Sequence, residues 1–201
     1  MRKSITFIAI AGGLALMGCA KSEQAASSVQ NGTVNFADDA GNAISNAADH
    51  IADAVTPTPT AQEFVDKAAK SDAFEIASAK LAKDKAASAD LKSFAAMMIE
   101  DHTGSTAKIK KAAAAASPAV TPNPELTADQ QGKIAKLDKL SGADFDKEYA
   151  AQQVDAHETA LSLMKDYAEK GDAAPLKAAA GEIQPKVETH LEKIKAIRDK
   201  L

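Results

Sequence analysis

Three histidines, His102, His157 and His190, each stand where the surrounding pattern asks for an aliphatic residue. In "FAAMMIEDHTGS" the apolar stripe steps by four and three through Leu91, Ala95, Met98, His102, Ser105 and Ile109, which turns the imidazole inward. His157 interrupts the stripe Ala150, Val154, Leu161, Met164, Ala168, and His190 interrupts Leu176, Ala180, Ile183, Val187, Ile194, Ile197, Leu201. A fourth ionisable residue, Glu75, shares the side of Phe64, Ala68, Ala79 and Ala82. Two chemistries fit this set. Buried imidazoles and a carboxylate can satisfy one another as a hydrogen-bonded polar core, the simpler default for such groups. Alternatively, three neutral ring nitrogens and one carboxylate can ligate a single divalent ion, zinc, copper or iron.

The neighbours of the histidines narrow the choice. Residues three positions before them are Ile99, Val154 and Val187, so the Glu-x-x-His pairs of di-iron carboxylate bundles are absent. Asp101, Glu158 and Glu188 adjoin histidines but lie about 100° or more around the helix from the inward stripe. Asp101 and Glu158 are therefore candidates only to brace ligands from outside. The serines form no recognisable nucleophile motif and no glycine-rich phosphate loop occurs, so no catalytic residue is assigned.

Four long helices must hold these positions. The pattern predicts them over about 61–85, 89–116, 143–170 and from Leu176 to the C-terminus, with Ser88 and Asp90 opening the second. A short helix is predicted after Thr127 and Gln130, which form a capping box, with Ile134, Leu137 and Leu140 on one side. Gly171 is the expected stop of the third long helix, Asp172 or Pro175 opens the fourth, and Pro185 is expected to bend it. Short turns within each pair and one long, proline-rich connection between the pairs predict a ferritin-like four-helix bundle, with its crossover between helices two and three. Counting from the turns, Glu75 lies about 12 residues before one turn and His102 about 15 after, while His157 lies about 15 before the other and His190 about 18 after. At about 1.5 Å per residue, all four reach a similar depth.

Composition agrees with helices. Hydrophobic residues make up 45% of the 201-residue chain, but aromatics only 4%, and Trp is absent. Strands favour aromatic and β-branched residues, which are scarce here. The formal net charge is −4, and removal of an N-terminal segment with Arg2 and Lys3 would take it to about −6. Without a basic stripe, nucleic acid is not an expected partner.

The N-terminus reads as an address. Arg2 and Lys3 precede an apolar run from Ile5 to Met17 that is short for a membrane span. It ends in Leu16-Met17-Gly18-Cys19, which resembles the lipobox of bacterial lipoproteins. That resemblance implies a signal peptide over 1–18, lipid attachment at Cys19, and, with Ala20 next, an outer-membrane anchor facing the periplasm. Residues 19–60, rich in Ala, Ser, Asn, Asp, Thr and Pro, have the composition of a tether, though Ile44, Ala48, Ile51 and Val55 recur at helical spacing. The domain is placed at 61–201.

The segments "FVDKAAKSDAFEIASAKLAKDKA", "LKSFAAMMIEDHT", "LSGADFDKEYAAQQVDAHETAL" and "LKAAAGEIQPKVETHLEKI" carry a further resemblance. From about Gln62 to Leu201 the chain resembles the bacterial family called domain of unknown function 4142, placed among ferritin-like folds. The resemblance implies an exported or outer-membrane helical domain and no established activity. The expected role is thus a non-enzymatic, lipid-anchored envelope or stress-related bundle acting through an unidentified protein partner. The alternative is a periplasmic metal-binding or metal-sensing protein using Glu75, His102, His157 and His190.

Overall fold

The computed structural model describes residues 57–201 and places five helices there, with no strand among the described residues. They are α1 (Ala61–Lys85), α2 (Ala89–Ala115), α3 (Ala128–Asp138), α4 (Gly142–Lys170) and α5 (Ala174–Arg198). The signal segment, Cys19, His50 and the tether up to residue 56 lie outside the described residues.

Local chemistry sets the boundaries. Thr60 and Glu63 form a capping box at the start of α1, and Thr127 with Gln130 forms the expected one at α3. Ser88 caps α2 by accepting from the Leu91 N–H, while Asp90 lies in the first turn rather than capping. At the head of α4, Gly142 takes φ +60°, a conformation that glycine adopts without steric cost. Gly171 ends α4 for a different reason. Its φ is −55°, but an added Cβ would lie 2.6 Å from the Tyr167 ring and the Tyr167 carbonyl oxygen. α5 remains helical through Pro185.

The direction of each helix follows from contacts at the two ends. Ala86, just past α1, bridges Gly142 at the start of α4. At the opposite end the Ala61 N–H donates to Asp172 Oδ2 at 3.3 Å, in the turn before α5. α4 therefore runs antiparallel to α1, and α5 parallel to it. α1 packs on α2 and α4, and α5 packs on α4 and α2. The connection from α2 to α4 must travel the length of the bundle, and it does so along α1. Gln62 Nε2 donates to the Thr121 carbonyl at 2.8 Å, the Asn123 N–H to Asp66 Oδ1 at 2.8 Å, and Gln130 Nε2 to the Lys70 carbonyl at 3.2 Å. α3 closes this strap by burying Leu137, with Ile134 and Leu140 half-buried beside it.

The apolar core is divided into two blocks. One gathers Phe64, Val65, Ile109, Met164, Tyr167 and Leu176, with Phe64 and Tyr167 stacked at a centroid distance of 3.9 Å. The other gathers Leu91, Phe94, Met98, Phe145, Tyr149 and Ile194. Between them, at mid-height of every long helix, lies a buried polar layer: Asp72, Glu75 and Ser78 on α1, His102 on α2, Gln153 and His157 on α4, and His190 on α5. The helical stripes stay buried almost to the C-terminus, where Leu201, expected on the inward side, is exposed.

The tight seat of Gly171 yields a test. Gly171→Ala forces its methyl group against the Tyr167 ring and carbonyl, a cost of about 1–3 kcal/mol typical of overpacking. Chemical denaturation should show a lower midpoint with an unchanged slope; an unaltered midpoint would contradict this packing.

Candidate metal centre

Each long helix delivers one group to the middle of the bundle. Glu75 and His157 have no solvent exposure, and His190 and His102 retain 2% and 5%. The imidazole centroids form a triangle with sides of 5.5, 5.6 and 5.9 Å. One ligating nitrogen from each ring lies within 4.8 Å of the others. Phe94 closes one side, with its ring centroid 6.2 Å from His157 and 6.4 Å from His190. The four residues read as inward-facing from helical spacing are thus brought together.

The outward nitrogen of every ring is held. His102 Nδ1 lies 2.8 Å from Asp72 Oδ1, and the second Asp72 oxygen accepts from the Thr106 hydroxyl at 2.8 Å. His157 Nδ1 donates to the Gln153 carbonyl at 2.7 Å. His190 Nε2 lies 2.8 Å from Asp101 Oδ2, and Lys186 holds the other Asp101 oxygen at 2.6 Å. Two of the partners are carboxylates, which only accept when ionised, and the third is a carbonyl, which always accepts, so each outward nitrogen carries hydrogen. In a neutral ring the lone pair is then on the inward nitrogen, and the inward nitrogens, His102 Nε2, His157 Nε2 and His190 Nδ1, are buried without a hydrogen-bond partner. Carboxylate and carbonyl partners of this kind orient metal-ligating histidines.

Glu75 adds two more unpartnered acceptors. Its Oε2 is 2.5 Å from His102 Nε2, yet out of line for a hydrogen bond, and its Oε1 is 3.8 Å from His157 Nδ1. The set gathers buried ring nitrogens and a carboxylate in the middle of the bundle. Burial disfavours charge on both Glu75 and His102, but their mutual attraction prevails. The field of His102 and then His157 lowers Glu75, and that of Glu75, with the Asp72 hydrogen bond, raises His102. Asp72 is raised, because burial outweighs its bond to His102. His190 is lowered to about 4 by burial, against the hydrogen bond to Asp101 and with the other two histidines reinforcing the shift.

Of the two acids read as possible braces, Asp101 supports a histidine, although it serves His190 across the helix interface rather than its neighbour His102. Glu158 lies on the outer face, exposed and paired with Lys195 at 2.7 Å. Asp72 was not anticipated, yet helical steps lead from Ala68 through Asp72 to Glu75, so the signal was present. Gln153 and Ser78 were also missed. Gln153 Nε2 donates to Ser78 Oγ at 3.1 Å, and Ser78 Oγ donates to the Glu75 carbonyl at 3.1 Å.

The His190 shift has a signed consequence. A folded pKa near 4, against 6.5 ordinarily, favours the neutral ring, so this stability is fully present above pH 6.5 and is lost as pH falls through about 4. With a chelator present, this residue contributes on the order of 2 kcal/mol to the decline in unfolding free energy over that window. His190→Leu should flatten the decline; parallel profiles would refute the assignment.

No curated protein matches the sequence. Two solved structures share the fold. "CopM in the Cu(II)-bound form" aligns with a TM-score of 0.61 at 17% identity, covering 72% of this chain and 99% of that one. "CopM in the Cu(I)-bound form" aligns with a TM-score of 0.59 at 17% identity, covering 71% and 97%. At such identity the likeness is one of fold. A family model, by contrast, matches residues 46–197, beginning inside the stretch read from composition as a tether. The chain therefore belongs to the family described as Domain of unknown function, DUF4142.

Proposed function

We propose that this protein binds one divalent transition-metal ion, copper foremost, through His102, His157, His190 and Glu75. One observation carries the reading: the three buried histidines bring one nitrogen each within 4.8 Å of the others while every outward nitrogen is braced, and Glu75 joins the cluster beside His102 Nε2. A polar core built only for hydrogen bonding would pair every inward nitrogen with a donor or acceptor, whereas His157 Nε2 and His190 Nδ1 face the cluster with no partner and only His102 Nε2 has a charged neighbour, Glu75. Neutral imidazoles suit copper, zinc and iron alike, and the hard oxygen of Glu75 favours a divalent ion over Cu(I). Bonds of about 2.0–2.1 Å to nitrogen would draw the rings together from their present spacing. Copper is preferred among these ions because both CopM structures of similar fold are copper-bound forms. The opposed directions of α1 and α4 and the strap between α2 and α4 also support the ferritin-like class for the bundle.

Titration with Cu(II), Zn(II) and Fe(II) separates this reading from a structural polar core. Cu(II) should bind at one ion per chain and, at a hundredfold excess over its dissociation constant, stabilise the fold by about 2.7 kcal/mol. His157→Ala should abolish stoichiometric uptake, and Asp101→Asn, which disturbs only the brace, should weaken it about 10–100-fold. Failure of all three ions to bind, or undiminished uptake by the His157 variant, would refute the proposal.

We further propose that the domain is displayed on the periplasmic side of the outer membrane through lipid on Cys19. The order Arg2-Lys3, apolar run and Leu16-Met17-Gly18-Cys19 supports this. Cys19→Ser should move the protein from the membrane to the soluble fraction of bacterial cells and alter its processing; unchanged fractionation would exclude the anchor.

A further inference from the structure

A cleft of about 350 Å³ opens between α2 and α5 and reaches the polar layer. His102 and His190 line its inner end, and Met164, Ile183 and Val187 contribute apolar wall. The larger groove, of about 950 Å³, lies against α1, α3 and α4 and is lined by none of the three histidines.

Two ion pairs join α2 and α5 along the cleft. Lys186 Nζ is 2.6 Å from Asp101 Oδ1, and Asp101 in turn holds His190, so this pair is tied to the position of a ligating ring. Lys108 Nζ is 2.5 Å from Glu182 Oε2, and neither residue touches any of the four central groups. Both side chains of the second pair are exposed, at 43% and 64%. Such a pair adds little to stability and can break on the timescale of side-chain motion. While it is closed, its two side chains span the gap between the helices. When it opens, the two side chains clear the gap and a carboxylate is freed towards an approaching cation.

Building on the copper-binding reading, we propose that the α2–α5 cleft is the path by which the metal enters and leaves the histidine cluster. The Lys108–Glu182 pair is a latch on this path, and the fraction of time it stands open scales the rate of exchange. The two halves of the latch carry opposite charge, which makes the proposal separable from simple steering. A cation is repelled by Lys108 and attracted by Glu182. If steering alone mattered, Lys108→Ala would speed loading and Glu182→Ala would slow it. A latch predicts that both variants speed it, because either substitution breaks the same bridge.

The test uses the full chain with Cu(II) alone, following loading by rapid mixing and removal by excess chelator. Lys108→Ala and Glu182→Ala should each accelerate loading and removal by about two- to fivefold, the gain in open fraction when a weak exposed bridge is lost, leaving the ratio of the two rates, and hence the affinity, nearly unchanged. Both positions are exposed, so the variants are expected to fold, which circular dichroism verifies. Opposite effects of the two substitutions would overturn the latch, and rates identical to those of the unsubstituted chain would overturn the path. A chain that takes up no Cu(II) at all would instead defeat the copper-binding reading and the path with it.

Discussion

A carboxylate with no solvent exposure, at the centre of a bundle whose core is mostly apolar, constrains everything around it. An ionised Glu75 costs several kcal/mol to bury unless its surroundings compensate. No single neighbour supplies that compensation. His102 and His157 approach the two carboxylate oxygens from different helices, and Ser78 on the same helix donates to the Glu75 backbone carbonyl. Each helix must therefore present its polar residue at the same height, and the hydrophobic core must part into one block above and one below. The apolar blocks supply non-directional burial, which tolerates small sliding of one helix past another. The polar layer does not, since a displacement of one helical turn would separate charges that now lie within a few ångströms.

The bracing contacts form a belt around the bundle. Asp72 with His102 joins α1 to α2, Asp101 with His190 joins α2 to α5, and Gln153 with Ser78 joins α4 to α1. Glu158 with Lys195 completes the circuit between α4 and α5 on the outer surface. The inner three links are short and largely buried, so they fix ring orientation as well as helix register. The Phe94 ring beside His157 and His190 keeps one flank of the layer apolar, which strengthens the electrostatic attraction within it.

Periodicity revealed the inward histidines because a helix has only one buried stripe, and an imidazole on it is conspicuous. The same arithmetic passes through Asp72, but a stripe drawn from apolar residues alone runs from Ala68 to Glu75 and steps over it. Gln153 and Ser78 were illegible for another reason: a neutral polar residue beside an apolar stripe reads as boundary until its partner on another helix is known. The length of the α2–α4 connection announced a crossover, yet its route along α1 depends on single hydrogen bonds such as Asn123 to Asp66, which no local pattern encodes. Asp146, just past the first turn of α4, has the position of an ordinary acid near a helix N-terminus. Its burial is explained only by the Ala87 and Ser88 N–H groups of the distant α1–α2 turn, which donate to it at 3.0 and 2.8 Å. Gly171 was recognisable as a stop, whereas its cause, the Tyr167 ring packed against it, is tertiary.

The charge of the layer bears on what it is built to hold. Asp72, Glu75 and Asp101 bring three carboxylates to the three histidines, and among the described residues Lys186 on Asp101 is the one lysine bonded to them. With neutral rings and ionised acids, that leaves two negative charges in excess. Protonation of His102 offsets one of them and sets an N–H near Glu75, but out of line with it, so the oxygen gains charge compensation without a well-formed bond. A monovalent ion would leave the same residual charge as the proton. A divalent ion cancels both and demands no hydrogen on any inward nitrogen, which matches the tautomers imposed by Asp72, the Gln153 carbonyl and Asp101. On the proposed reading, then, the outward partners do more than hold the rings: by placing hydrogen on the far nitrogens and two uncompensated charges nearby, they favour a doubly charged ion over either a proton or a singly charged metal.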